Sequence, residues 1–486
     1  MKRRIGGELE LALVNSDATA LDPRVGRSLV QAHARNGILT ADPVTGEPDY
    51  VSLDTPWGPA RYGYDATWCT AEGALPVVST LHEMDDAIEA YAGEVRNIIG
   101  PQGGRIFGGG MQPKTSPTVE NYRRQVRDRA VYMAITDVSW RGGRENFPFH
   151  YNWGHRHTAF TAHHSPWIDV APDEAPDALA VAHAFRGIIY LLFASSPILG
   201  AQVQDSRDYR PLAWQRFMTA PRIAQHRNMI GGMSYRPRSV EDVLRVHWQD
   251  QPMWFLPAND GGTYKGGLVD FVGPQGIAPD FMTFLRSEKS WPTLDLSGRQ
   301  KVLTPSTQLM SSAADWWAFW TRWRFLLNPE AFELQEFLEA YDHGEISRLL
   351  SRPGVIRMSA IEWRDFSAQP QEDIMAAWAC ALGWIENLSG AVALLNQLSW
   401  EGWLSMAELA LTHGFQAQLG DVSLVSLADQ ALEVAYEGLR SRGLGEELYL
   451  TPLTARLRTQ QAPAEKMVRV FNQGGLPALV SEFTYR

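Results

Sequence analysis

Residues Arg4 to Leu13 alternate in the manner of an extended strand. Ile5, Leu9, Leu11 and Leu13 share one parity, and Glu8 and Glu10 fall on the other. Successive strand side chains point to opposite faces, so this run predicts a strand that projects two carboxylates from one face of a sheet. A generic acidic pair at i, i+2 is commonly the solvated face of an edge strand. Turned inward, the same pair offers hard oxygen ligands to a cation such as Mg2+.

The composition is that of an ordinary globular protein. Its 486 residues are 45% hydrophobic and 20% charged, which excludes a disordered or collagen-like chain. The formal charge of −11 is unsuited to tracking a phosphate backbone, so nucleic acid is not expected as a main partner. Cys69 and Cys380 form no CxxC pair and provide neither a disulfide scaffold nor a thiolate zinc cluster. The opening MKRRIGGELELAL is interrupted by carboxylates, and the apolar stretch Gly187–Leu199 is broken by Ser195, Ser196 and Pro197. Neither suits a signal peptide or a membrane span, and a cytoplasmic protein with no membrane partner is the expectation.

Length alone permits two to four domains. No internal repeat or low-complexity linker divides the sequence, and one catalytic domain over residues 1–486 is expected. Residues Leu81 to Ile99 read as an amphipathic helix, with Leu81, Met84, Ile88, Tyr91, Val95 and Ile98 at helical spacing. Ser116-Pro117 reads as a cap and first-turn proline for a helix through about Ile135. Asp173 to Ser196 reads as one long buried helix ending at Pro197, and the part from about 370 to 486 as mostly helical. Strands and helices mix without regular βαβ alternation, which favours an α+β core. There is no GxxxxGK[ST] loop and no strand–GxGxxG–helix unit. In Phe107-Gly108-Gly109-Gly110 the run continues into Met111-Gln112-Pro113, where proline prevents an immediate helix.

Three further groups carry possible chemistry. Glu362 and Arg364 share a strand face while Ile361 and Trp363 point into packing. This is either a cross-face ion pair or a carboxylate and an arginine that hold a metal and steady a phosphoryl group. Asp65 and Glu72 lie seven residues apart, so a turn or bulge must intervene if they converge. The window His150 to His164 contains His155, His157 and His163 as well. It reads as structural histidines, as one ligand in a mixed carboxylate site, or as a zinc hydrolase centre, although its spacing is not that of a helical HExxH.

In this order, these pieces resemble the glutamate–cysteine ligases of the plant and proteobacterial type, carboxylate–amine ligases with a glutamine-synthetase-like sheet. Gly7-Glu8-Leu9-Glu10 resembles the family's opening metal-binding strand, and Glu72 through Thr80-Leu81-His82 its second acidic segment, with Asp65 just before. Phe107 to Lys114 is similar to its glycine-rich turn ending in Gln-Pro-Lys, and His150-Tyr151-Asn152 to the strand that joins the metal and nucleotide site. Phe193-Ala194-Ser195-Ser196-Pro197 resembles the end of its long helix. Arg210-Pro211-Leu212-Ala213-Trp214 with Arg222 resembles its glutamate-gripping stretch, and Glu362-Trp363-Arg364 its closing catalytic strand. The resemblance covers roughly residues 4–255 and 350–395.

It implies a curved, mainly antiparallel half-barrel sheet with helices packed on its outer side. It also implies ATP and Mg2+ as cofactors, and glutamate and an amine such as cysteine as small-molecule substrates, as in the first step of glutathione biosynthesis. Glu8, Glu10, Asp65, Glu72, His150 and Glu362 would bind metal, Glu362 and Arg364 would be catalytic, and Arg210 and Arg222 would bind substrate. Three departures surround the expected pocket. An apparent insertion spans about 265–350, a second lies near His155 to His164 and makes His164 a competitor to His150, and Asp365 stands where a small glycine is usual. They bear on the identity of the amine, which on this reading is another amino acid, a polyamine or a natural-product amine if not cysteine.

Overall fold

The computed structural model describes residues 2–42, 45–129, 156–218, 233–250, 255–257, 268–270, 280–287, 289–295, 300–316 and 321–486. His150 and Arg222 lie outside the described residues, as does His155.

The alternating segment forms β1 (Ile5–Asn15), a central strand of a nine-stranded sheet. Its companions are β2 (Ile38–Ala41), β3 (Pro48–Thr55), β4 (Gly58–Tyr64), β5 (Thr70–Ala74), β6 (Gly104–Phe107), β7 (His164–Asp169), β8 (Arg322–Leu327) and β9 (Ile356–Glu362). They run in the order β8-β9-β7-β1-β5-β4-β3-β2, with β6 also paired to β1. Among the described residues every pairing in this sheet is antiparallel, and the sheet does not close on itself.

Parity decides what each face carries. Ile5, Leu9, Leu11 and Leu13 are buried, and the helices that cover their face come from distant parts of the chain. α1 (Pro23–His33), α2 (Leu81–Ile99), α4 (Ala175–Ala184) and α7 (Met375–Glu386) contact strands of the sheet, and α3 (Val119–Gln125), α5 (Arg186–Phe193), α6 (Tyr209–Met218), α8 (Trp400–His413) and α9 (Leu424–Arg442) are further helices of the chain. α2 has the bounds that its periodicity predicts. Thr80 caps it by accepting from the Glu83 amide, and the Glu83 carboxylate accepts from the Thr80 amide at 3.0 Å. α7 sits so close to the sheet that the Trp378 indole donates to the Gly6 carbonyl at 2.9 Å. A Cβ at Gly7 would lie 2.5 Å from the Ser165 carbonyl oxygen and 3.0 Å from the Trp378 ring. Only glycine fits there.

Two helices differ from expectation. Residues 173–196 form two helices, α4 and α5, bent by 47°. The bend turns α5 onto α8, where a Cβ at Gly187 would stand 3.1 Å from the Met406 backbone. α5 ends at Phe193, short of Ser196, because Ala194 turns extended. α3 starts after Thr118, which caps it, and stops at Gln125. Beyond it the chain is captured by the turn after β4, with the Arg127 amide donating to Ala66 at 3.0 Å and the Gln125 carbonyl accepting from Trp68 at 3.0 Å.

Residues 265–350 contribute to two sheets. Strands at Leu268–Asp270, Trp291–Asp295 and Gln300–Leu303, together with Phe255–Pro257, make a small antiparallel sheet. β8, from the same stretch, forms one end of the main sheet. Among the described residues no single helix is long and apolar enough to cross a membrane.

Candidate active site

Antiparallel register gathers the polar parity onto the face opposite the helices. Glu10 is paired with Glu72 of β5, Glu8 with Ser165 of β7, and Glu362 of β9 with both Trp167 of β7 and Arg322 of β8. Side chains at paired positions share a face, so acids from β1, β5 and β9 meet although up to 354 residues separate them (362 less 8). Asp65 joins from the turn between β4 and β5, where its amide donates to Thr70 at 3.1 Å. That turn supplies the change of direction which the odd spacing of Asp65 and Glu72 requires.

Glu10, Asp65 and Glu72 each offer an oxygen within 4.8 Å of the others. Two unit charges at such a distance repel by about 3–4 kcal/mol at an effective dielectric near 20. Burial, then the charges of Glu8, Asp65 and Glu10, push the Glu72 carboxyl well above its ordinary range. Burial and Asp65 push Glu10 up to about 8, and burial and Glu362 push Glu8 up to about 7. Glu362 behaves oppositely. Burial would raise it, but Arg322, Arg324 and Arg364 outweigh that effect and hold it down to about 2.

The donor set fits a hard divalent cation. It is oxygen-rich and free of sulfur, and it holds an excess of negative charge that an ion would relieve. One imidazole adjoins it. His163 is held opposite Glu10, whose amide donates to the His163 carbonyl at 2.9 Å. The His163 Nδ1 lies 2.7 Å from Glu10 Oε2. Burial, reinforced by Arg210 and Arg364, holds His163 well below its usual range. With Nδ1 taken up by this contact, the ring nitrogen left for another partner is Nε2. That buried nitrogen has no hydrogen-bond partner among the described residues.

His164, the competitor to His150 in the sequence reading, points the other way. Its ring centroid lies 6.0 Å from that of Trp378, on the helix-covered face. His157 sits 3.3 Å from the Tyr209 hydroxyl. Among the described residues the histidines form no cluster of three ligands, and the one cluster of metal-ligand type is Glu10, Asp65 and Glu72.

Arginines frame the acids. Arg210 enters at the start of α6, where its amide donates to Ser196 Oγ at 2.9 Å and its guanidinium to the Arg364 carbonyl at 2.9 Å. Ser196 and Ser367 both donate to the buried Asp208 carboxylate. Burial lowers Arg210 to about 10 against the pull of Glu10 and Asp208, so it remains a cation at neutral pH. Arg364 Nη1 is 3.8 Å from Glu362. Its amide donates to Thr321 Oγ1 at 3.1 Å, and Thr321 in turn donates to Asp365 at 2.5 Å. Tyr190 donates to the other Asp365 oxygen at 2.5 Å.

The glycine-rich turn lies outside this constellation. Gly108 donates to the Phe483 carbonyl at 2.7 Å and Gly110 to that of Ser195 at 3.0 Å, which fixes the turn against other chain segments. Lys114 pairs with Asp17 at 2.9 Å. Cys69 and Cys380 are free and buried, and burial pushes the Cys69 thiol up to about 12. Neither is a poised nucleophile.

Sequence reasoning missed His163, Arg322, Arg324 and Asp208. The parity of His163 relative to Glu10 follows only from the β1–β7 register, and the β8 arginines lie in a stretch that matched no motif.

No curated protein matches the chain in sequence. Among solved structures, it is similar to a bifunctional glutathione synthetase from Pasteurella multocida, with 13% identity and a TM-score of 0.43. That match covers 99% of this chain and 51% of the other, so the chain spans about half that protein's length. It is also similar to glutamate–cysteine ligase from Francisella tularensis in complex with AMP, with 10% identity, a TM-score of 0.48 and coverage of 100% and 88%. The model of glutamate-cysteine ligase family 2 matches residues 4–235, a span that holds Glu8, Glu10, Asp65, Glu72, His163 and Arg210 and ends before β8 and β9. Over residues 4–235, the chain is similar to glutamate-cysteine ligase family 2.

Proposed function

We propose that the protein is an ATP-dependent carboxylate–amine ligase that forms a γ-glutamyl amide through an acyl phosphate, with glutamate and cysteine as the leading substrates. The observation that carries this reading is the meeting of buried Glu10 with half-buried Asp65 and Glu72 on a sheet face that also presents Arg210 and Arg364. A carboxylate at neutral pH is a poor electrophile. Transfer of the ATP γ-phosphoryl group to it releases ADP, and attack by the amine then displaces phosphate as the leaving group.

The nucleotide and the acidic substrate are both anions and repel at close range. Magnesium supplies charge neutralisation for the phosphates when bound. Glu8, Glu10, Asp65, Glu72 and Glu362 are the carboxylates that would hold it, with His163 as the imidazole beside them. His150 stays a ligand candidate from sequence alone. Arg364 is the group for the migrating phosphoryl oxygens, and Arg210 clamps the acid substrate, with Arg222 as its partner in the sequence reading. A second reading is the same chemistry on a different amine, because Asp365 stands where the resemblance leads one to expect a small glycine.

The test is incubation with ATP, Mg2+, glutamate and a panel of amines, measuring ADP and the mass of the amide. Cysteine-dependent ADP release with γ-glutamylcysteine is expected. Release with another amine alone selects the second reading, and no amide with any amine overturns both. Glu362→Gln should lower turnover by at least about a hundredfold with the fold retained.

A further inference from the structure

Of the three clustered acids, Glu10 and Glu72 sit on paired strands, and the β1–β5 ladder fixes their separation. Asp65 lies past the end of β4, on the turn that leads into β5. Repulsion from the other two acids pushes that turn outward, so its backbone needs an anchor if Asp65 is to stay in the cluster.

The carbonyls around the turn converge on one guanidinium. Arg127 is fully buried just beyond α3. Its Nη1 donates to the Tyr64 carbonyl and to that of Asp65 at 3.3 Å, and its Nη2 donates to the Pro48 carbonyl and to that of Asp49 at 2.9 Å. Nη2 also stands 3.7 Å from the Asp49 carboxylate, and the guanidinium lies over the Trp68 ring, 5.3 Å from its centroid. The start of β3 and the turn after β4 are thus tied together by one side chain, in addition to the bond from its amide to Ala66. A planar guanidinium spreads its donors over several acceptors, which the point charge of a lysine does not.

We propose that Arg127 is a positioning residue for the cation site, clamping the Tyr64 and Asp65 carbonyls so that the Asp65 carboxylate stays within reach of an ion shared with Glu10 and Glu72. It acts through the backbone of Asp65 and not on the ion. The inference rests on the cation reading of the three acids and deepens it. The direction of the effect separates positioning from charge. A nearby cation disfavours a second one, so deleting the Arg127 charge would by itself tighten metal binding, whereas releasing Asp65 weakens it.

The test is a Mn2+ titration of the nucleotide-free full chain, read by the free-ion electron paramagnetic resonance signal, with circular dichroism to check the fold. The proteins compared are the parent, Arg127→Met, Arg127→Lys and Arg456→Met. Arg456 is another buried arginine, bonded to the Leu192 carbonyl, Gln369 and Asp373, and its variant controls for the loss of a structural guanidinium. Arg127→Met should weaken Mn2+ binding by about tenfold or more. Arg127→Lys keeps the charge and should weaken it by a smaller factor, and Arg456→Met should bind like the parent. Should Arg127→Met fail to fold, Arg127→Lys decides. Arg127 variants that bind as tightly as the parent or tighter, equal weakening in Arg456→Met, or loss of the fold in Arg127→Lys would each overturn the proposal. A parent that binds no Mn2+ sinks the cation reading itself, whereas a binding parent with unaffected Arg127 variants sinks only the positioning role.

Discussion

Glu10 and Glu72 are direct register partners across the β1–β5 pair, two carboxylates placed opposite each other in the interior of a sheet. Like charges in that relation destabilise a sheet, and Asp65 adds a third acid within 4.8 Å. The arrangement costs stability that a polar surface would not, which gives it meaning as a place for a cation.

Removing one acid should therefore stabilise the metal-free protein. Glu72→Gln is expected to raise the unfolding free energy by about 1–2 kcal/mol at pH 8 in EDTA. Urea denaturation measures it. The same variant should show no stabilisation by added Mg2+, whereas the parent gains from ligand linkage. A Glu72→Gln protein less stable than its parent in EDTA would contradict the account.

The pH dependence has a defined sign. Glu8 and Glu10 titrate at about 7 and about 8 in the folded chain, against roughly 4.3 for an unfolded glutamate. Between those values the folded state holds protons that the unfolded state has lost, so these groups lower stability as pH rises from about 4.3 to about 8. Glu362, held at about 2, works the other way, and its stabilisation is lost only as pH falls toward that value. The urea midpoint in EDTA should be higher at pH 5.5 than at pH 8.5. Saturating Mg2+ should narrow the gap, because binding requires the deprotonated acids.

Asp365 ties β8 to the segment after β9. It accepts from Thr321 and Tyr190, both at 2.5 Å. Asp365→Ala leaves two buried hydroxyls without their acceptor and should cost about 2–4 kcal/mol, with Asp365→Asn costing less. Chemical denaturation of the three proteins checks the order. Equal stability would show that the network has no role in holding β8.

Gly7 tests how closely α7 must approach the sheet. A methyl group there meets the Ser165 carbonyl and the Trp378 ring, so Gly7→Ala should cost about 1–3 kcal/mol. An unchanged thermal midpoint would show that β1 and α7 separate freely.

Much of this was legible in the sequence because strand parity is local. The alternation from Ile5 to Leu13 names the acids of β1 without knowledge of their partners, and Glu362 with Arg364 repeats it. The periodicity of α2 gives its bounds. Register is not local. His163 and His164 differ by one residue, and the pairing of Leu9 with His164 alone sends the first toward Glu10 and the second toward Trp378. Arg322 and Arg324 were invisible as site residues for the same reason, since nothing in their own segment announces that β8 lies beside β9. The bend between α4 and α5 arises from packing on α8, which uniform apolarity over 173–196 cannot reveal.

The most direct measurement is a titration of the nucleotide-free protein with Mn2+, read by the loss of the free-ion electron paramagnetic resonance signal. The account predicts saturable binding that disappears in Asp65→Asn and in Glu72→Gln, while both variants stay folded. Binding of the same strength in those two variants, or none in the parent, would contradict it.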